Sequence, residues 1–384
     1  MDKRSARCTA LFALVCAAVA VRAVSAVSDG PLQNGNFEYA PDQSQMMNNG
    51  SSVVTGDNAI PNWKISGHVE YITSGQKQGD MILPVPEGAH AVRLGNDASI
   101  QQQISVTQGA DYALTFSASR TCAQDEKLVL TVVPGYQTSE VPIQTIYTSC
   151  GWDYYSWAFK AHAALLSLTI HNPGQEDDPA CGPIIDAVAI KAIRRPDPTP
   201  ISNLLRNGDF EEGPYVPPGS QSGVLVPPKT EDHVSPLPGW KIMAHKKVVR
   251  YVDAAHFAVP QGARAVELVS GAESALMQEV DTVVGTWYRL ALAVGSAGDG
   301  CAAYEGPMRV QVTAGSSGTK TVEVYGGAQR AELVFQATET TTRVVLVSLG
   351  YHTKSDNSGT LCGPVVDDVS LVATSQPAAR RLFL

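Results

Sequence analysis

The stretch Asn34–Glu38, NGNFE, returns later in the chain as Asn207–Glu211, NGDFE. In the same way Cys181–Asp186, CGPIID, returns as Cys362–Asp367, CGPVVD. Two further pairs lie between these motifs in the same order, PNWKI with PGWKI and VPEGAHAV with VPQGARAV. This period is far too long for a solenoid or a propeller blade, so the sequence predicts a tandem duplication of a whole domain.

Strand signals dominate both copies. Short strand-like runs, alternating at 112–118 and rich in β-branched residues at 128–133 and 344–348, are bounded by turn residues such as Gly and Pro. Such spacing is typical of an antiparallel β-sandwich. We therefore predict an all-β protein with two tandem antiparallel β-sandwich domains. The predicted boundaries are a first domain at 27–193, a Pro-rich linker at 194–200, a second domain at 201–373 and a tail at 374–384.

The first 26 residues have the pattern of a cleaved secretory signal peptide. Basic residues precede the apolar run Leu11–Val21, and small residues follow at Ala23 and Ala26. The run is about half the ~20 residues of a membrane-spanning helix. We therefore expect an exported protein without membrane insertion. A single glycosylation sequon begins at Asn49.

Charge narrows the range of partners. A formal net charge of −9 argues against nucleic acid and polyanions. Charged residues make up 17% of the chain, below the usual quarter. This composition favours neutral ligands that are recognised through local contacts.

The cysteines predict one disulfide per domain. Two of the seven, Cys8 and Cys16, lie in the signal. The repeat aligns Cys122 with Cys301 and Cys181 with Cys362, so the simplest pairing is Cys122–Cys181 and Cys301–Cys362. Each bridge would close a loop of about 60 residues and add on the order of 4 kcal/mol to the free energy of unfolding. Cys150 has no counterpart, and it could be a buried free thiol, an intermolecular link or a rival partner for its neighbours.

The repeated motifs carry one acid each at corresponding positions. If the opening motif forms the first strand and pairs with the last, Glu38 would meet Asp186, and Glu211 would meet Asp367. Paired carboxylates with nearby carbonyls suit Ca²⁺. The alternative is that each acid accepts bonds from local backbone amides. A glycosidase pair is disfavoured because it would occur twice, and no nucleophile elbow or metalloprotease motif is present. We expect no enzymatic activity.

An aromatic cluster at 151–159 is the richest local feature. Alternation places Tyr155, Trp157 and Phe159 on one face and Trp152 and Tyr154 on the other. In the second copy Trp157 and Phe159 align with the apolar Leu333 and Phe335, whereas Trp152 and Tyr154 align with Ala328 and Arg330, so the fold does not require aromatic residues there. We therefore interpret Trp152 and Tyr154 as candidate carbohydrate-binding residues, exposed aromatics on which a sugar ring could stack. Partial burial under a loop is the alternative.

Several stretches of the chain resemble the plant secreted family catalogued as domain-of-unknown-function 642. They are the two opening motifs, both CGPxxD closures, Leu204–Tyr215, Ser119–Cys122 and His171–Gly174. The resemblance covers nearly all of the mature chain. It implies a cell-wall protein of two galactose-binding-like jelly rolls. It also implies a structural Ca²⁺ near the opening Phe-Glu and the closing Asp, and no catalytic residues.

The resemblance further implies cellulose or another wall polysaccharide as ligand and pectin methylesterase as a protein partner. The leading hypothesis is a non-catalytic wall protein that binds polysaccharide. One alternative is a protein-interaction module that regulates such an esterase. The other is a glycan-active enzyme using Glu38 with Asp186.

Overall fold

The computed structural model describes residues 30–47, 52–122, 125–148, 150–194, 203–218, 220–227, 234–243, 248–269, 271, 274–301, 306–316 and 318–376. Within these ranges helical geometry is confined to a short 3-10 turn, Gln43–Gln45, and to Gly271, and the remaining regular structure is strand. The all-β prediction is confirmed. The predicted signal peptide, most of the linker, the end of the tail and Asn49 lie outside the described residues. Among the residues described, no helix has the length and apolarity needed to cross a membrane.

The chain divides into two compact units. The first unit runs to Ile193 and also includes Pro214–Val224. The second unit comprises Arg194–Gly213 and the residues from Leu225 onward. The segment 214–224 therefore belongs to the first unit, although the sequence repeat assigns it to the second copy.

The first unit consists of two antiparallel sheets. Its strands are β1 (Lys64–Ser66), β2 (Val69–Thr73), β3 (Lys77–Gln78), β4 (Met81–Ile82), β5 (His90–Leu94), β6 (Ser99–Ser105), β7 (Asp111–Ser119), β8 (Lys127–Val133), β9 (Gln137–Pro142), β10 (Asp153–Lys160), β11 (Leu165–His171) and β12 (Ile184–Ile193). One sheet has the order β1-β6-β11-β8-β9, and the other contains β2-β5-β12-β7-β10. Strands β3 and β4 form a separate hairpin.

The second unit repeats this arrangement. Its strands follow β13 (Val224–Val226) and are β14 (Lys241–Ile242), β15 (Val249–Asp253), β16 (Arg264–Glu267), β17 (Ala275–Asp281), β18 (Trp287–Ser296), β19 (Met308–Ala314), β20 (Gly318–Val324), β21 (Gln329–Gln336), β22 (Thr341–Ser348), β23 (His352–Thr353), β24 (Leu361–Cys362) and β25 (Pro364–Thr374). Its sheets contain β14-β17-β22-β19-β20 and β15-β16-β25-β18-β21.

The opening motif of each unit is a tight turn rather than the first strand that the sequence predicted. Phe37 has φ of 54° and Phe210 has φ of 51°, values that no extended strand adopts. The buried Trp63 donates its indole N–H to the Asn34 carbonyl at 2.9 Å. Trp240 does the same to the carbonyl of Asn207, also at 2.9 Å. The tryptophans therefore fasten these turns to the core.

The glycine of the opening motif is required by a close approach to the last strand. A Cβ at Gly35 would lie 1.9 Å from the Val188 carbonyl oxygen. At Gly208 the corresponding distance to the Val369 oxygen is also 1.9 Å. Only glycine lets the turn pack against the end strand at this distance. The repeated motifs thus encode backbone geometry.

A buried ion pair links matching strands in both units with reversed polarity. In the first unit Arg93 Nη1 lies 3.1 Å from Glu70 Oε2 across the β2–β5 pair. In the second unit Arg250 Nη1 lies 2.9 Å from Glu267 Oε2 across the β15–β16 pair. The acid and the base have exchanged strands, so the fold requires the pair but not its direction.

Candidate functional site

The paired carboxylates of the first unit hold one loop. Glu38 Oε1 accepts the backbone N–H groups of Ala89 and His90 at 2.7 and 2.9 Å. Asp186 Oδ2 accepts the N–H of Glu87 at 2.9 Å. Both acids therefore bind the repeated VPEGAHAV segment, which leads from the loop after β4 into the start of β5.

The second unit has the same arrangement. Glu211 Oε1 accepts the N–H groups of Ala263 and Arg264 at 2.7 and 3.3 Å. Asp367 Oδ2 accepts the N–H of Gln261 at 2.8 Å. The motifs at the two ends of each copy thus clamp its middle motif through side chain-to-backbone hydrogen bonds.

These carboxylates fit a structural role, holding the middle motif by hydrogen bonds, better than they fit a Ca²⁺ site. The second oxygen of Asp186 accepts the Ala187 N–H at 2.7 Å, so both of its oxygens are engaged by amides. Burial raises the pKa of Asp186 well above its usual range. This effect is larger than the lowering of the pKa by the hydrogen bonds from the two backbone amides. A Ca²⁺ site needs six to eight oxygens and ionised carboxylates. Calcium at Glu38, Asp186, Glu211 and Asp367 therefore stays a prediction.

The cysteines pair as the repeat predicts. Cys122 bonds to Cys181 and Cys301 bonds to Cys362, which confirms one disulfide in each unit. Within the described residues one cluster of ligand-type side chains, Cys122, Glu126 and Cys181, is compact enough for a metal ion, but its two sulfurs are bonded to each other. Cys150 is half-buried and its sulfur is not free, so the free-thiol interpretation is wrong, and the rival-partner and intermolecular alternatives remain.

The expected aromatic platform is not on the surface. Tyr154 is only 7% exposed and packs with Ala187 and Val224. Trp152 is half-buried against the same cluster. The physical reason is that the segment 214–224 supplies an apolar cover for these rings within the first unit. The interpretation of Trp152 and Tyr154 as exposed sugar-binding residues is therefore corrected to the alternative, burial under a loop.

An open surface lies instead on the sheet β1-β6-β11-β8-β9. Along its three central strands buried residues alternate with half-buried or exposed ones, so one set enters the core and the other faces solvent. We call the solvent-facing side the outer face of the first unit. Its central strands present Ser99, Gln101, Gln103, Val129, Thr131, Ser167, Thr169 and His171.

Strand register joins five of these outward positions into one line across the sheet. We call it the polar row, and it consists of Lys64, Gln101, Thr169, Thr131 and Thr138. Gln101 Nε2 donates to Thr169 Oγ1 at 3.3 Å, and the hydroxyls of Thr131 and Thr138 are 3.2 Å apart. Five strands spaced by about 4.8 Å make the row about 19 Å long.

The outer face of the second unit has the same geometry and different chemistry. The matching row on β14-β17-β22-β19-β20 is Lys241, Met277, Val345, Thr313 and Thr319. Met277, which is buried, and the half-buried Val345 replace the half-buried Gln101 and Thr169. The fold therefore does not require polar groups at the centre of this sheet, which makes those of the first unit candidates for function.

Sequence reasoning missed the polar row because its members come from five strands that are distant in the chain. The alternating run Ser99–Ser105, with polar residues at every outward position, was the available signal. Which residue of β11 or β8 lies beside Gln101 depends on strand order and register. Neither quantity can be obtained from the alternation of one strand.

Fold and site define a class, that of two tandem antiparallel β-sandwiches, each with its own disulfide. The family model described as "Protein of unknown function (DUF642)" matches residues 30–191 and 203–372, and the chain belongs to this family. It is 55% identical over 355 residues to Protein DUF642 L-galactono-1,4-lactone-responsive gene 1 of Arabidopsis thaliana, covering 91% of this chain and 93% of the relative. It is 50% identical over 371 residues to the gene 2 protein of the same plant, covering 95% and 98%.

Among solved structures, the chain is similar to the tandem CBM22-1–CBM22-2 domain of Paenibacillus barcinonensis Xyn10C. The TM-score is 0.27 with 12% sequence identity, and the match covers 82% of this chain and 94% of that one. Similarity at this level does not identify a shared ligand.

Proposed function

We propose that this protein is a secreted, non-catalytic plant cell-wall protein that binds a neutral wall polysaccharide, such as cellulose, on the outer face of the first unit. The observation that carries the proposal is the polar row. Four of its five members are uncharged amides or hydroxyls, and each is fixed on a strand of a disulfide-bonded sandwich.

The chemistry of the row matches that of a sugar chain. Amide and hydroxyl groups both donate and accept hydrogen bonds, as sugar hydroxyls do. Rigid strands hold the side chains in place, so less conformational entropy is lost on binding. The net charge of −9 disfavours an acidic polymer as the main ligand.

The non-catalytic part of the proposal rests on how the acids are used. Glu38 Oε1 and both oxygens of Asp186 accept backbone amides, Glu38 Oε2 lies 3.3 Å from His90 Nδ1, and Glu211 with Asp367 repeats the backbone contacts. A hydrolytic acid–base pair would instead face a ligand. The acids therefore support a structural role.

The test is depletion of the mature protein from solution by insoluble cellulose, with de-esterified pectin alongside, at two salt concentrations. We expect retention on cellulose at both salts. Gln101→Ala with Thr131→Ala removes two hydrogen-bonding side chains, each worth about 0.5–1.5 kcal/mol, so retention should weaken about tenfold or more. The matched control, Thr313→Ala with Thr319→Ala in the second unit, should bind like the wild type. Absence of retention on cellulose would reject the proposal.

A second candidate function, binding to a basic wall enzyme such as pectin methylesterase, is favoured by one loop. Glu176, Asp177 and Asp178 are all exposed. Asn96 accepts the Glu176 N–H at 3.0 Å and donates to the Asp178 carbonyl at 3.4 Å, so the loop is held in place. A fixed acidic loop would steer a basic partner, and the association should weaken as salt rises. Replacing the three acids by their amides should abolish that salt dependence while cellulose retention is kept.

A further inference from the structure

The outer face of the second unit presents an apolar stripe, which we define as Met243, Ala275, Val345, Val347 and Leu349. Ala275 pairs with Val347 in register, and the Met243 N–H donates to the Ala275 carbonyl at 2.9 Å. Alternation along β22 places Val345 and Val347 on this face. Met243 is 41% exposed and Leu349 is 38% exposed, whereas Val345 and Val347 are half-buried and Ala275 is buried, so the stripe reaches solvent mainly at Met243 and Leu349.

Charges of both signs border the stripe. Arg343 Nη2 lies 2.8 Å from Glu279 Oε1 on one side. On the other side Arg309 and Glu323 are directly paired in register. The border thus holds two cations and two anions, while the centre is aliphatic. An apolar centre with a polar rim is the anatomy of a protein interface.

The first unit shows that the fold does not demand this stripe. The positions equivalent to Met243, Ala275 and Val347 are Ser66, Ser99 and His171, which form one row across its sheet. Aliphatic side chains on an open sheet face are unfavourable in water unless something covers them. The stripe therefore points to a partner surface specific to the second unit.

We propose that the stripe is the interface of a homodimer, with a second copy of this chain as its occupant. A two-fold axis brings each surface against itself, so a rim with equal numbers of arginines and glutamates is complementary to its own copy. The stripe spans three of the five strand positions of this face, so the charged rim must also enter the contact for the interface to approach the ~800 Å² per partner of a stable dimer.

Dimerisation would change how the protein meets a polymer. Two chains joined through their second units carry two polar rows, and binding of the second row becomes effectively intramolecular. This gain in avidity rests on the proposed glycan function. Self-association itself does not, since it needs no ligand.

The experiment is sedimentation equilibrium of the mature full chain, without ligand, over a range of micromolar concentrations. The wild type should show twice the mass of one chain. Met243→Glu with Leu349→Glu places two carboxylates at exposed positions of the stripe. The dissociation constant of the dimer should rise at least about a hundredfold. The matched control is Ser66→Glu, at the position equivalent to Met243, which should leave the mass unchanged.

Folding and ligand controls make the result decisive. Circular dichroism and the thermal midpoint should show both variants folded, and Arg343→Glu, at an exposed rim position, provides a second, milder disruption of about tenfold. A wild type that stays monomeric at every concentration would overturn the proposal, as would a stripe variant that dimerises normally. If the stripe variant instead loses cellulose retention while the wild type is monomeric, the occupant is glycan and the homodimer is rejected. A dimer that does not bind cellulose would reject only the glycan function.

Discussion

The two outer faces share strand order and register but differ in chemistry. Where the first unit presents Gln101 and Thr169, the second presents Met277 and Val345 at the same points of the sheet. Where the first has Ser99 beside His171, the second has Ala275 beside Val347. Because the same framework tolerates both sets, neither is needed for folding. Duplication has therefore left the sheet faces available for separate tasks.

The parts that the copies keep in common are structural. The opening turn packs under its tryptophan, the acids clamp the middle motif, and one disulfide closes each unit. The most obvious motifs in the sequence thus describe the framework. Functional differences lie in residues that the repeat does not conserve between its copies.

The largest expected effect tests the ion pair of the framework. Arg250→Ala leaves Glu267 as a fully buried carboxylate without its cation, so we expect a loss of about 3–5 kcal/mol in the free energy of unfolding. Arg93→Ala should have a smaller effect, because Glu70 keeps a hydrogen bond from Ser52 Oγ at 2.9 Å and some solvent. Urea unfolding measures both values.

The control for that comparison is Lys127→Ala, which breaks an ion pair between exposed side chains on β8 and β9. It should change stability by no more than about 0.5 kcal/mol. Equal losses for Arg250→Ala and Lys127→Ala would show that the buried pair is not part of the framework.

The next effect compares equivalent positions on β10 of the first unit and β21 of the second, in the sheets that do not form the outer faces. Tyr154→Ala removes a buried ring from the cluster with Ala187 and Val224, and we expect a loss of about 3 kcal/mol. Arg330→Ala, the matching position in the second unit, removes a largely exposed side chain that pairs with Asp368, and should change stability by less than about 0.5 kcal/mol. Thermal or urea unfolding would measure both. Unchanged stability with lost cellulose retention in Tyr154→Ala would restore the aromatic platform as the binding site.

The smallest effect is a pH dependence of stability that arises from the acids that hold the middle motif. Burial raises the pKa of Asp367 to about 7 in the folded protein, whereas an unfolded Asp titrates near ~4. The folded state therefore binds more protons at Asp367 between those values, so the contribution of Asp367 to stability is fully present below ~4 and is lost as pH rises through about 7. Asp186 acts in the same direction.

Asp367→Asn cannot titrate, so it should flatten the pH dependence of the thermal midpoint even if it lowers the midpoint itself. The readout is the difference in midpoint between acid and mildly alkaline buffer for wild type and variant. A wild-type midpoint that rises with pH across this window would contradict the assignment.

The fold could be predicted because its signals are local or repeated. Alternation placed strands at 112–118 and 344–348, and the structure has them at Asp111–Ser119 and Thr341–Ser348. Alignment of the copies gave the disulfides. The opening turn was misassigned as a strand because Phe37 requires a positive φ, which an apolar residue between polar neighbours does not reveal.

The candidate site could not be predicted for two reasons. Burial of Tyr154 depends on the segment 214–224, which is remote in sequence and belongs by repeat to the other copy. The polar row depends on register between β6, β11 and β8, which no single strand encodes. The reversed ion pair, by contrast, was visible as opposite charges at aligned positions, Glu70 with Arg250 and Arg93 with Glu267.

An exchange of residues between the two faces tests the central claim most directly. Gln101→Met with Thr169→Val gives the first unit the chemistry of the second, and Met277→Gln with Val345→Thr makes the reverse change. The measurement is depletion of each folded variant by insoluble cellulose beside the wild type. The account predicts that the first variant loses retention by about tenfold or more, since two hydrogen-bonding groups are gone, and that the second keeps it. Undiminished retention by the first variant would contradict the assignment of glycan binding to the outer face of the first unit.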